Sequence, residues 1–288
     1  MELKPARLGR LFINIFDSIA SKDRRMIFSE LHNFLFIKGH KVASTSVEVA
    51  LSAICGPNDI ITPITPVDEL HRINLGYRHA QNYGADPEKL AKYIEQIKSN
   101  DPSIFRQGLD NQKGRLKKPR GKFHAHQSLK RAWKRLKERC NGHTRVIAIC
   151  RSPYQTLLSR LNHNATFLRY QKTGIAVQST PEERRQALSN WLHQCKKEGY
   201  QNNLQKYQPP SDKSAPRVKY LRFESIQADI KAFLDSLSIS NHPELPHLKK
   251  GVELQESEIK ELATNEELSL INNYFKPELE AFNYKLIS

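Results

Sequence analysis

The run Arg145–Cys150, RVIAIC, constrains this chain more than any other feature: it is apolar from its second residue onward, rich in β-branched side chains, and ends abruptly at Arg151. A strand with one wet face alternates apolar and polar residues, whereas a strand covered on both faces reads as an unbroken apolar run. Ser152 then supplies an N-cap and Pro153 a first-turn proline, and Leu157, Leu158 and Leu161 carry an apolar stripe onward at helical spacing. The strand is therefore expected to feed straight into a helix.

Two further segments repeat this plan. Asn33–Ile37 (NFLFI) reads as a buried strand and Val47–Ile54 as a helix, with Lys38–Ser46 as the turn between them. Val218–Phe223 (VKYLRF) reads as a strand leading into a helix whose Ile226, Ile230, Phe233, Leu234 and Leu237 share one face. Three strand-to-helix units predict an α/β fold with a parallel sheet flanked by helices.

Pro181–Tyr200 reads as a helix, and Gln205–Pro216, with three prolines, as an exposed loop. Residues 57–121 are punctuated by Pro57, Pro63 and Pro66 before a helix over Asp86–Ser99 opened by Pro87; this stretch is expected to be a substrate-facing insertion. No boundary divides the 288 residues, so a single domain over 1–288 is expected, with 1–30 as a helical extension. Within that extension the apolar run Leu11–Ala20 is short and interrupted by Asn14 and Asp17, a poor signal peptide that cannot span a bilayer.

Lysine and arginine exceed aspartate and glutamate by 46 to 30, a formal charge of +16 that suits an anionic partner: a phosphorylated nucleotide, a nucleic acid, an acidic glycan or an anionic surface. Much of the excess lies between Lys113 and Arg139, which reads equally as a solvated surface or a polyanion-binding patch. The four cysteines, Cys55, Cys140, Cys150 and Cys195, form no CxxC pair or metal-ligand spacing, so a reducing, cytoplasmic setting and no metal site are expected.

Ligands of open parallel sheets bind beyond the carboxyl ends of the strands, so the turns after Ile37 and after Cys150 are expected on one rim. The first turn, Gly39–Ser46 (GHKVASTS), offers small residues, hydroxyls, Lys41 and a helix N-terminus, all suited to phosphate. It is not a nucleoside-triphosphatase P-loop, which has a second glycine and a lysine directly before the hydroxyl residue. A nucleotide kinase on a related fold is accordingly the weaker alternative, and a nucleic-acid or polyanion-binding protein without catalysis is another.

FLFIKGHKVASTSVEVAL resembles the first donor-binding element of the PAPS-dependent sulfotransferases, in particular the sulfotransferase family 2 group of bacterial and carbohydrate enzymes, where an apolar strand leads to a turn of the form K-x-x-[ST]-[ST]-[ST]. VIAICRSPYQTLLSRL is similar to the second element, a strand ending in arginine, then proline, then a helical serine. The resemblance implies a P-loop-like sheet and a soluble enzyme that transfers a sulfuryl group from 3'-phosphoadenosine 5'-phosphosulfate (PAPS) to a hydroxyl or amine, an acceptor that would be a glycan, a lipid or a small hydroxyl compound. The product would be adenosine 3',5'-bisphosphate. By the same resemblance Lys41, Val42, Ala43, Ser44, Thr45 and Ser46 hold the 5'-phosphosulfate, Arg151 and Ser159 hold the 3'-phosphate, and Lys249 and Lys250 are further donors to it. Lys41 would be the electrostatic catalyst, and His126, with His124 as the alternative, the base that takes the acceptor's proton; Glu224 opens a helix, where a carboxylate complements the dipole.

Overall fold

A computed structural model describes residues 26–99, 116, 118–123, 127–136, 138–173, 177–211, 216–246, 248 and 254–287, with the side chains of 168–173 left aside. Its sheet has five strands: β1 (Met26–Ser29), β2 (Phe34–Ile37), β3 (Ile60–Ile61), β4 (Arg145–Cys150) and β5 (Val218–Arg222). Their order is β3-β1-β2-β4-β5. The three strands expected from the sequence, β2, β4 and β5, are parallel neighbours. The sheet as a whole is mixed, because β1 runs antiparallel to both β2 and β3. This corrects the expectation of a parallel sheet, and it also corrects part of the helical extension, since Met26–Ser29 is a fully buried strand.

The helices are α1 (Ser44–Ser52), α2 (Pro66–Asn74), α3 (Pro87–Lys98), α4 (Leu129–Leu136), α5 (Pro153–Thr173), α6 (Pro181–Glu198), α7 (Asn203–Tyr207), α8 (Ile226–Asp235), α9 (Glu258–Leu262) and α10 (Asn265–Phe282). Side chains alternate across a strand, and the core follows that alternation. Phe34 and Phe36 of β2 and Ile147 and Ile149 of β4 pack beneath α1 and α8, against Val47, Leu51, Phe233 and Leu234. Leu35, Ile37, Val146 and Ala148 face the other way, against Leu129 and Trp133 of α4, Tyr207 of α7 and Phe282 of α10. Both faces of the central strands are thus covered, which is why they carry no polar residue inside.

A separate helical layer joins α5, α6, α9 and α10 around Tyr154, Leu158, Leu188, Trp191 and Phe275. The helix expected over Asp86–Ser99 is α3, with Asp86 as its N-cap, the carboxylate accepting from Lys89 N at 3.0 Å. Within 57–121, the described residues contribute β3 to the sheet edge and pack α3 on α2 through Tyr93, Ile94 and Ile97. The expected loop Gln205–Pro216 begins instead inside α7, whose Tyr207 is fully buried. No described helix is long and apolar enough to cross a membrane.

Candidate functional site

Because Ile37 lies opposite Ala148 in a parallel pair, the chain leaves β2 and β4 at the same edge of the sheet. Residues 38–43 turn there and enter α1. Lys41 and Ala43 both adopt left-handed backbone conformations, with φ of 59° and 57°. Left-handed residues other than glycine cost about 1 kcal/mol or more each and persist where the surroundings over-determine them.

Several contacts fix this turn. The Ser44 hydroxyl donates to Gly39 O at 3.0 Å. Asn203, at the start of α7, accepts from His40 N at 2.7 Å and donates to His40 O at 3.0 Å. The Tyr207 hydroxyl donates to Ile149 O at 2.9 Å and crowds Gly39, where a Cβ would lie 1.9 Å from its oxygen. Gly39 is thus required for the approach of α7.

At the mouth of the turn, α1 begins without a side-chain cap, since Ala43 occupies the N-cap, and without an acidic residue in its first turn. The leading N–H groups of a helix have no partner within it. Left-handed residues placed among right-handed ones gather such donors into a concave nest suited to an anion. This arrangement is what the hydroxyl-rich sequence alone left open.

Arg151 leaves β4 beside the turn. Its Nη1 donates to Lys41 O at 3.0 Å and its Nη2 to Gln155 Oε1 at 3.4 Å, while the guanidinium lies 3.9 Å from the centre of the Phe223 ring. Gln155 and Ser159, four residues apart in α5, share one partly exposed side of that helix, and Arg151, two residues before its start, reaches that side through Gln155. The two turns therefore meet. Gln155 in turn donates to Leu254 O at 3.0 Å, tying that side of α5 to the segment before α9.

Glu224 accepts from Ser152 N at 3.3 Å and from the Tyr284 hydroxyl at 2.9 Å, so it serves the start of α5 as a brace. Burial, reinforced by neighbouring Cys150 and Glu224, pushes the Tyr284 hydroxyl far up and keeps it a donor.

The sequence-derived site residues fall into three groups. Lys41, Ala43, Thr45 and Arg151 are partly exposed where the two turns meet, and Ser159 is partly exposed farther along α5. Val42, Ser44 and Ser46 are buried, Val42 in the core under α1 and Ser44 on Gly39 O, so their side chains face inward, and Ser46 N donates to Ala43 O at 3.1 Å. His124, His126, Lys249 and Lys250 lie outside the described residues.

Sequence reasoning passed over Lys38, Gln155, Asn203 and Phe223. Asn203 sits 163 positions from its partner His40, and no local pattern announces such a contact. Among the described residues no group of three histidine, cysteine, aspartate or glutamate side chains is arranged to hold a metal ion. In comparisons with known proteins, no family model, no curated protein and no solved structure matches this chain.

Proposed function

We propose that this chain is a sulfotransferase that moves a sulfuryl group from PAPS to a hydroxyl or amine acceptor, with a carbohydrate among the acceptor classes, and releases adenosine 3',5'-bisphosphate. The observation that carries the reading is the junction itself: an uncapped helix start with two left-handed residues before it, joined by a hydrogen bond to the arginine that ends the neighbouring parallel strand. Together they offer two cationic anchors for a nucleotide with phosphates at both ends.

In this reading the turn at Lys41–Ser46 receives the 5'-phosphosulfate through backbone N–H groups, the Thr45 hydroxyl and the Lys41 ammonium. Arg151 and Ser159 receive the 3'-phosphate, for which a planar guanidinium supplies parallel charge-assisted bonds. The acceptor oxygen or nitrogen bonds to sulfur as the bond from sulfur to the phosphate oxygen breaks. Negative charge builds on that phosphate oxygen, where Lys41 neutralises it, so the rate arises from in-line positioning and electrostatics. The acceptor's proton passes to a base, the role the sequence offers to His126 or His124.

A second reading, a polyanion-binding protein without catalysis, is favoured by α4, which buries Leu129, Ala132, Trp133 and Leu136 and exposes Lys130, Arg131, Lys134 and Arg135. Thermal unfolding with added nucleotide separates the readings, because a ligand at about 100 times its Kd adds about 2.7 kcal/mol of stability. Adenosine 3',5'-bisphosphate is expected to raise Tm well above ATP with Mg²⁺. Preference for ATP with Mg²⁺, or no shift with either, rejects the assignment.

A further inference from the structure

Four charged side chains behind the turn are almost wholly enclosed and have no part in the scheme above. Lys38 is 3% exposed, and Glu48, Glu69 and Arg72 are each 0%. The Lys38 ammonium donates to Glu48 Oε2 at 2.8 Å and to Thr45 Oγ1 at 2.8 Å. On the far side, Arg72 Nη2 stands 3.7 Å from Glu48 Oε1, and Arg72 Nη1 donates to Glu69 Oε1 at 3.1 Å. Glu69 also accepts from Ile64 N at 3.0 Å and Ala80 N at 2.8 Å. A chain of alternating charges thus runs from α2 to the first turn of α1.

Buried ion pairs of this kind add little stability relative to apolar residues of the same shape, because desolvation offsets most of the attraction. Their geometry is more informative. An ammonium donates and never accepts, so Thr45 Oγ1 is the acceptor in its contact with Lys38. Among the described residues Lys38 is the hydrogen-bond partner of that hydroxyl. The hydroxyl's own hydrogen is therefore turned away from Lys38, and Thr45 is partly exposed beside the uncapped N–H groups of α1.

We propose that Lys38 is a positioning residue which, held by Glu48 and Arg72, fixes the Thr45 hydroxyl as a hydrogen-bond donor to the anion bound at the turn. The inference rests on the donor reading above and adds to it a residue that acts without touching the nucleotide. It also assigns a role to α2: Arg72 and Glu69 anchor the far end of the chain of charges, so this helix supports the anion turn from behind.

The test is a double-mutant cycle read as the Kd of adenosine 3',5'-bisphosphate, with Lys38→Met and Thr45→Val as the single variants. Each is expected to weaken binding about tenfold, the size of one charge-assisted hydrogen bond. The pair together is expected to weaken it no further, and Thr45→Ser to retain most of the affinity. A purely structural role for Lys38 gives penalties that multiply, and that result, or unchanged affinity in Lys38→Met, overturns the proposal. If Lys38→Met does not fold, Lys38→Met/Glu48→Gln removes one charge of each sign and serves as the first arm. Failure of the unaltered protein to bind the bisphosphate rejects the donor reading itself, whereas binding with multiplying penalties rejects the Lys38 assignment alone.

Discussion

Arg151 shows how much one side chain can join: it touches the carbonyl of Lys41, the amide of Gln155 and the ring of Phe223 while remaining partly exposed. Arg151→Ala is expected to weaken binding of adenosine 3',5'-bisphosphate by at least tenfold, about the worth of a hydrogen bond to a charged group, with cooperative unfolding preserved. Calorimetric titration alongside thermal unfolding checks both halves. Gly39→Ala makes a different demand, because its Cβ would meet the Tyr207 hydroxyl. A loss of about 1–3 kcal/mol is expected from this overpacking, with part recovered in Gly39→Ala/Tyr207→Phe; denaturant unfolding measures it. Arg151 was legible because it ends an apolar run abruptly, and Lys41 because it stands in the small, hydroxyl-rich turn Gly39–Ser46. Lys38 was not, since a lysine at a strand end reads as solvated, and only the fold reveals that it is buried against Glu48 and Thr45.

At the scale of elements, β2 and β4 were legible from apolar runs, β5 from VKYLRF ahead of a helical stripe, and α5 from the proline at its first position, although the Ser152 hydroxyl expected to cap α5 donates to Glu256 instead. β1 was not: MIFS is four residues long, and its burial depends on pairing with β2 and β3. Asp59 organises that edge, its carboxylate accepting from Ser29 Oγ at 2.6 Å, Glu30 N at 2.8 Å, Leu31 N at 3.2 Å and Gly56 N at 2.8 Å. Asp59→Ala leaves these donors unmet and is expected to cost about 3 kcal/mol by denaturant unfolding. α7 was hidden because its helix is short and its anchors, Asn203 to His40 and Tyr207 to Ile149, are remote in sequence.

The same helix carries Lys206, whose ammonium is buried near Arg160 and Glu278. Desolvation first, then Arg160, lowers its pKa to about 7 from 10.5, with Glu278 opposing. Between those two values the unfolded chain holds a proton that the folded chain has released, so this group makes stability rise with pH across that window and leaves its full cost in place below about 7. Lys206→Met is therefore expected to be more stable than the parent at pH 7, with the advantage shrinking toward pH 10. Unfolding curves of the two proteins over that range test it.

For the molecule as a whole, the sheet joins the two turns at one edge while the buried charge chain behind α1 connects that edge to residues 57–121. A net charge of +16 attracts any polyanion at low salt, so such binding separates no reading from another. What separates them is a dependence on where the phosphates sit. The most direct measurement compares the affinities of adenosine 3',5'-bisphosphate and adenosine 5'-monophosphate for the parent protein and for Arg151→Ala. The account predicts that the parent prefers the bisphosphate by at least tenfold and that Arg151→Ala loses that preference while still binding the monophosphate at the Lys41 turn. Equal affinity of the parent for both nucleotides, or a preference undiminished in Arg151→Ala, would contradict it.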